Sequence, residues 1–232
     1  MRRLRQRFIV IWNTETWLLV SAFLIAALVL MFGFIATQVM EGRSTNFDQF
    51  IIVALRGGAD SLSEPTGPPW ILGAARDVTA LGSVMVLGII VSTFIGYLLL
   101  SGARATALLV LIAVAGGEAI NTLLKIQFAR PRPDLLAPAV RVFTASFPSG
   151  HAALSAITYM TLAMVLARRT TSQHLRIFFM AAAITLIILI GVSRIYLGVH
   201  YPTDILAGWC FGSAWALAFW ALMFRLQPDT HV

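Results

Sequence analysis

The sequence predicts an all-α protein, a bundle of six transmembrane helices with its chemistry gathered at the outer membrane–water interface. Three observations lead there. Hydrophobic residues make up 59% of the chain and charged residues 12%, with a mean hydropathy of +0.84, whereas soluble domains carry about 25% charged and about 45–50% apolar residues. Six apolar runs approach or exceed the roughly 20 residues that cross a bilayer. The polar residues that interrupt this pattern are clustered near the ends of a few runs instead of being scattered along them.

The first run, about 17–39, follows MRRLRQR. This start resembles the basic region of a signal peptide, but the apolar stretch outlasts the roughly 7–15 residues of such a segment, so a retained first helix is expected. A loop over about 40–78 comes next and carries Glu41, Asp48, Asp60, Glu64 and Asp77. Its segment FDQFIIVALR fits two readings, an amphipathic helix lying at the interface or a helix packed on the bundle. The remaining spans are expected at about 79–100, 105–125, 151–167, 177–197 and 203–224. Pro148 and Ser149 signal the start of the fourth. All of 1–232 reads as a single membrane domain.

Six spans place both termini on one side. Arg2, Arg3, Arg5, Arg7, Arg104, Arg168, Arg169, Arg176 and Arg225 gather there, which makes that face cytoplasmic by the positive-inside rule. In a bacterium this means the inner membrane, with the opposite face periplasmic. The net charge of +7 comes almost wholly from Arg at the ends of apolar segments, Lys125 being the only lysine. That distribution fits membrane topology and anionic lipid, and it argues against a nucleic-acid partner. Cys210 is the single cysteine, so neither an intrachain disulfide nor a cysteine metal site is expected. His174 and His231 lie apart from the polar clusters and no Asp-rich motif is present, so no metal and no cofactor are expected.

Alternating helices bring the end of the third span, the start of the fourth, the end of the fifth and the start of the sixth to one face. The unusual polar residues fall there, in KIQFARPRP, FPSGH and SRIYLGVHYPTD. Lys125, Arg132 and Arg194 supply the positive donors that a phosphoryl group needs as its charge spreads during transfer, and Arg can bond two phosphate oxygens at once. Ser149 and Gly150 precede the fourth helix, where free N–H groups and the helix dipole favour an anion; Ser149 alternatively serves only as a helix cap. Pro202 fits the first position of the sixth helix and places Asp204 in its first turn, within reach of His200. Glu118, Asn121 and Lys125 share one helical stripe facing the bundle interior, with Glu118 either orienting Lys125, relaying a proton or making a structural interhelical hydrogen bond. Ser193 is expected behind the site. Arg130 lies outside the motif positions and its role is left open between a part in the site and a loop or headgroup contact, the latter favoured.

These residues compose the patterns K-x6-R-P, P-S-G-H and S-R-x5-H-x3-D. In them the chain resembles the type 2 phosphatidic acid phosphatase superfamily of membrane lipid phosphatases, which shares its site with vanadium haloperoxidases and bacterial acid phosphatases. Every motif position is matched: Lys125, Arg132 and Pro133; Pro148, Ser149, Gly150 and His151; Ser193, Arg194, His200 and Asp204. The resemblance implies a metal-independent hydrolase in which His200 attacks phosphorus and Asp204 holds its other ring nitrogen. His151 would protonate the leaving oxygen and then activate water, while Lys125, Arg132, Ser149, Gly150 and Arg194 bind phosphate.

Spacing alone leaves open which histidine attacks. The expected substrate is a membrane lipid phosphate or pyrophosphate, undecaprenyl pyrophosphate first, because many bacterial relatives act on it and the site faces outward. Phosphatidylglycerophosphate, phosphatidic acid and lipid A phosphate are alternatives. A lipid phosphotransferase with the same phosphohistidine is a rival. So is a non-enzymatic lipid transporter or binder, although a binder would not need His151, His200 and Asp204 together. A haloperoxidase is disfavoured because those relatives are soluble.

Overall fold

The structure, a computed structural model, describes residues 2–56, 67–133 and 144–226, with side chains from residue 16 onward. Asp60, Glu64, Asp229 and His231 lie outside the described residues. The elements are α1 (Arg2–Met40), α2 (Thr45–Arg56), α3 (Pro69–Ala80), α4 (Val84–Leu100), α5 (Arg104–Phe128), α6 (Gly150–Arg168), α7 (Gln173–Tyr196) and α8 (Pro202–Leu226). The described residues contain no strand. Among the described residues, five helices are long and apolar enough to cross a membrane, and six spans result when α3 and α4 are taken as one.

The second span departs from its expected continuous course over 79–100. α3 and α4 meet at a 46° bend. Ser83 adopts an extended conformation there, and its side chain accepts from the Val86 amide, so α4 restarts at Val84 under a helix cap. The break frees carbonyls at the end of α3, and Tyr159 of α6 donates its hydroxyl to the Leu81 oxygen at 2.9 Å. FDQFIIVALR forms α2 together with the residues just before it. Asp48, Ile52 and Arg56 are buried at four-residue spacing, so α2 packs on the bundle through one face while Phe47 and Phe50 face outward.

α6 is the central helix: 67% of its most apolar stretch is buried inside the protein, against 6% for α1. Its inner surface is built from small residues, Ala152, Ala153, Ser155 and Ala156. α8 meets it with Gly208 and Gly212, a small-xxx-small spacing that brings two backbones close where lipid offers no hydrophobic drive to helix association. A Cβ on Gly208 would stand 2.8 Å from the Ser149 carbonyl oxygen, and one on Gly212 would stand 2.5 Å from that of Ala153. α1 closes the other side of α8, where Ile35, Ala36 and Val39 pack with Phe147 and Ala207.

Gly212→Val places a branched side chain against an α6 carbonyl that has nowhere to go. Overpacking of this kind costs about 1–3 kcal/mol, so the variant should show a lower midpoint of thermal unfolding in detergent. An unchanged midpoint would mean that the α6–α8 contact is looser than described.

Candidate active site

The segment between α7 and α8 is shaped by two helix ends. α7 finishes in a Schellman motif: Gly198 takes the left-handed conformation at φ 72°, its amide bonds the Ile195 oxygen, and the Val199 amide bonds the Arg194 oxygen. This reversal carries His200 back over the last turn of α7, beside Arg194. α8 then opens on Pro202, whose missing N–H costs nothing at a helix start.

The residue before Pro202 is Tyr201, which has no side-chain oxygen able to cap. Two carboxylates do that work. Asp204 Oδ2 accepts from the Tyr201 amide at 2.9 Å, and Asp48, reaching over from α2, accepts from the Thr203 amide and hydroxyl at 2.9 and 2.8 Å.

Asp204 is fully buried. Its Oδ2 also faces Nδ1 of His200 at 3.3 Å, while Oδ1 accepts from Arg130 Nη1 at 2.6 Å. Arg130 spans both carboxylates, with Nη2 bonded to Asp48 at 2.8 Å and its guanidinium 4.0 Å from the centre of the Tyr201 ring. Burial works against the Arg130 charge, but Asp204 and Asp48 outweigh it and raise the pKa above the ordinary Arg value. The favoured reading, a loop or headgroup contact, is therefore replaced: Arg130 is the largely buried cation between the buried carboxylates of Asp48 and Asp204. α5 ends at Ala129 in the left-handed region, φ 43°, and that turn directs the RPRP segment inward. Ser146 then holds the segment, its amide on the Arg130 oxygen and its hydroxyl on that of Pro131.

His200 presents its other nitrogen to a cavity of about 720 Å³. Glu118, Asn121, Lys125, Arg132, Gly150, His151 and Arg194 line it as well, so residues from distant parts of the sequence share one space. Each cation is aimed by a tether. Lys125 Nζ donates to the Ala145 oxygen at 2.9 Å, Arg132 to the oxygens of Thr144 and Val199, and Arg194 Nη1 to the Thr79 hydroxyl at 3.2 Å. Arg132 Nη1 also stands 3.2 Å from His200 Nε2. Three cations beside a helix N-terminus, around an imidazole whose Nδ1 is held by a carboxylate, form an arrangement that can bind a phosphate and bring a nucleophile to it.

Not every expected residue reaches the cavity. Ser149 is fully buried; its amide bonds the Asp204 carbonyl and its hydroxyl makes a long cap contact, 3.5 Å, with the Ala152 amide. The close approach of Gly208 presses the Ser149 backbone against α8, so Ser149 belongs to the frame around the site and does not line it. Ser193 donates to the Ile190 oxygen of its own helix at 2.7 Å. A Cβ on Gly150 would make ordinary contact with Asn121 and Lys125, so glycine here keeps the cavity open more than it relieves a clash. Glu118 hydrogen-bonds Thr122 on its own helix and interacts electrostatically with Lys125.

Sequence reasoning missed Thr79 and Gly82, which join the wall from the α3–α4 break. The polar interruption at 79–83 of an apolar run was the available signal. A Cβ at Gly82 would meet His151 at 3.3 Å and Ile190 at 2.5 Å.

Comparison with known proteins agrees with this geometry. Residues 106–228 match the profile of the PAP2 superfamily. The chain is 35% identical over 149 residues to a phosphatidylglycerophosphatase B of Bacillus subtilis, covering 62% of this chain and 71% of that protein. It is 32% identical over 158 residues to a lipid A 1-phosphatase of Rhizobium etli, covering 58% of this chain and 64% of that protein. Its fold is similar to the crystal structure of a transmembrane PAP2 type phosphatidylglycerolphosphate phosphatase from Bacillus subtilis. The TM-score is 0.78 at 26% identity, over 90% of this chain and 98% of that one.

Burial, followed by the charges of Arg194, Arg132 and Lys125, holds the His200 pKa well below the ordinary histidine value. With ¹⁵N-labelled histidine, its ring signals should keep the neutral pattern at about pH 5.5, under the usual pKa of about 6.5. The unfolded chain takes up that proton near 6.5 and the folded chain does not, so this group's contribution to stability is lost as pH falls below about 6.5. A doubly protonated His200 ring at pH 5.5 would contradict the described burial.

Proposed function

The chain belongs to the PAP2 superfamily, and we propose that within it this protein removes a terminal phosphate monoester from a lipid of the outer leaflet, phosphatidylglycerophosphate first. It is an integral membrane lipid phosphatase. The sequence alone favoured undecaprenyl pyrophosphate; the phosphatidylglycerophosphatase relative, alike in sequence over most of its length and matched by a solved structure of similar fold, moves the first choice. The observation that carries the chemistry is the division of the His200 ring, with Nδ1 on Asp204 and Nε2 toward the cations of the cavity.

In the proposed reaction the terminal phosphate lies among Lys125, Arg132 and Arg194, whose donors match its equatorial oxygens. His200 Nε2, neutral and therefore carrying a lone pair, attacks phosphorus in line with the ester oxygen. An N–P bond forms as the P–O bond breaks, and His151 gives its proton to the departing lipid alkoxide. The imidazolium that results keeps its Nδ1 proton directed at Asp204. Water, deprotonated by His151, then attacks the phosphohistidine, releasing inorganic phosphate and restoring both histidines. The N-terminus of α6, where Gly150 and His151 sit, adds its positive dipole end to the same space.

The reading is tested by phosphate release from purified protein in detergent with EDTA present, on phosphatidylglycerophosphate, phosphatidic acid and undecaprenyl pyrophosphate. Release should survive EDTA, be fastest on the first lipid and fall by several orders of magnitude in His200→Ala. His151→Ala should cost about 10²–10⁴-fold on these poor leaving groups and much less on an aryl phosphate; equal losses on both would remove His151 from the general-acid role. Preference for undecaprenyl pyrophosphate would return the substrate to the one first expected.

The proposed orientation, with the site facing the periplasm, rests on the Arg distribution. Phe47 is exposed on α2, at the face that carries the site. Phe47→Cys in a Cys210→Ser background should react with an impermeant thiol reagent in intact cells. Labelling only after permeabilisation would invert the topology.

A further inference from the structure

α2 touches the site's framework at three places on one stripe. Near its start, Asp48 accepts from the Thr203 amide at the N-terminus of α8. One turn on, Ile52 is buried against Ala152, Ile195 and Ile205. At its end, Arg56 donates to the Tyr196 oxygen at the C-terminus of α7, 2.9 Å away. An anion thus meets a helix N-terminus and a cation meets a helix C-terminus, each the favourable sign for the dipole it faces. The two helix ends so held are those joined by residues 197–201, the segment that carries His200.

Arg130 adds a second link. It does not line the cavity, both of its terminal nitrogens are engaged within the protein, and Asp204 and Asp48 are its two anions. The oxygens of Asp204 are divided: Oδ1 goes to Arg130, and Oδ2 goes to the Tyr201 amide and His200. Without the guanidinium, no other described residue would hold Oδ1, and the carboxylate could rotate away from the ring. Without Asp48, the whole Arg130 charge would fall on Asp204 and weaken its hold on the imidazolium.

We propose that Arg130 and Asp48 are positioning residues for the reaction, and that α2 is a strap across the back of residues 197–201 that keeps Asp204 turned toward His200. Neither residue touches the phosphate. The inference rests on the reading of His200 as nucleophile. Neutralising Arg130 removes a positive charge from beside the Asp204–His200 pair, so the pair as a whole binds a proton more readily. The other charged or titratable groups facing that ring, Lys125 and Arg132 from the α5 end, His151 from α6 and Arg194 from α7, stay in place.

The experiment compares wild type, His200→Ala, Arg130→Gln, Arg130→Lys and Asp48→Asn on short-chain phosphatidic acid in detergent micelles with EDTA. Arg130→Gln and Asp48→Asn should lower kcat about 10–100-fold, as loss of an outer-shell partner commonly does. KM and competitive inhibition by inorganic phosphate should stay within about threefold of wild type, the pattern of an interaction that matters in the transition state and not in binding. The acid limb of kcat/KM should move to higher pH in Arg130→Gln, and Arg130→Lys should recover part of the rate.

An unchanged kcat overturns the proposal, as does a lower kcat with an unmoved acid limb, which a merely structural role produces. Weakened inhibition by phosphate would make Arg130 a binding residue and overturn it too. Asp48→Asn preserves the shape of the side chain, so if Arg130→Gln does not fold the test passes to it; failure of both to fold makes the network structural and ends the proposal. A wild-type protein without phosphatase activity would instead overturn the functional reading beneath it.

Discussion

A carboxylate sealed from water inside a membrane protein must be compensated on every side, and much of the site's architecture follows from Asp204. Breaking a buried ion pair by removing one partner typically costs about 3–5 kcal/mol, because the other charge is left stranded. The chain meets this demand with a cation from the end of α5, a backbone amide from the start of α8 and the imidazole of His200. The cation in turn demands its own second anion, and Asp48 supplies it from α2. One buried charge thus recruits two elements far from it in sequence, the end of α5 and α2, and the left-handed turn at Ala129 is the backbone adjustment that lets the first of them arrive.

The frame that carries this charge system owes little to charge. α6 and α8 approach through Ala and Gly closely enough for backbone to meet side chain, and the Ser149 amide bonds the Asp204 carbonyl across that seam. The N-terminus of one helix, which faces the cavity, is therefore tied to the first turn of the other, which carries Asp204. Small residues set the separation, and the polar residues then have a fixed distance to bridge. This order explains why the Ser149 hydroxyl is spent on the frame: a residue pinched between two helices is well placed to tie them and poorly placed to meet a ligand.

The residues that face the cavity were legible in the sequence because their chemistry is costly next to lipid, and alternation of spans already put their segments on one face. Lys125, Arg132, His151, Arg194 and His200 are where that reasoning placed them. Less legible were the partners behind them. Arg130 and Asp48 are 82 positions apart, and nothing in either neighbourhood names the other; only the burial of one face of α2 joins them. The α3–α4 break was hidden for a different reason. Thr79 and Ser83 interrupt the run only briefly, and Leu81 with the Val, Met and Leu residues after Ser83 restores its hydropathy, so it looks continuous although its backbone is not. Hydroxyls are ambiguous in another way: Ser149 and Ser193 carry the right group in the right motif, yet local backbone atoms compete for that group and win at both positions.

The wall of the cavity contains Val84 and Ile126, which are 65% and 71% exposed on the outer surface of the bundle. Around spanning helices that surface is bathed in acyl chains, so side chains of α4 and α5 border the pocket and the lipid alike. A lipid that met the site from that side would stay in its leaflet, and its product would part from the site with its tails still in the bilayer. What such an enzyme experiences as abundance is a mole fraction in two dimensions. Diluting the membrane with inert lipid would then starve it as surely as lowering the amount of substrate, while stirring the surrounding water would change nothing.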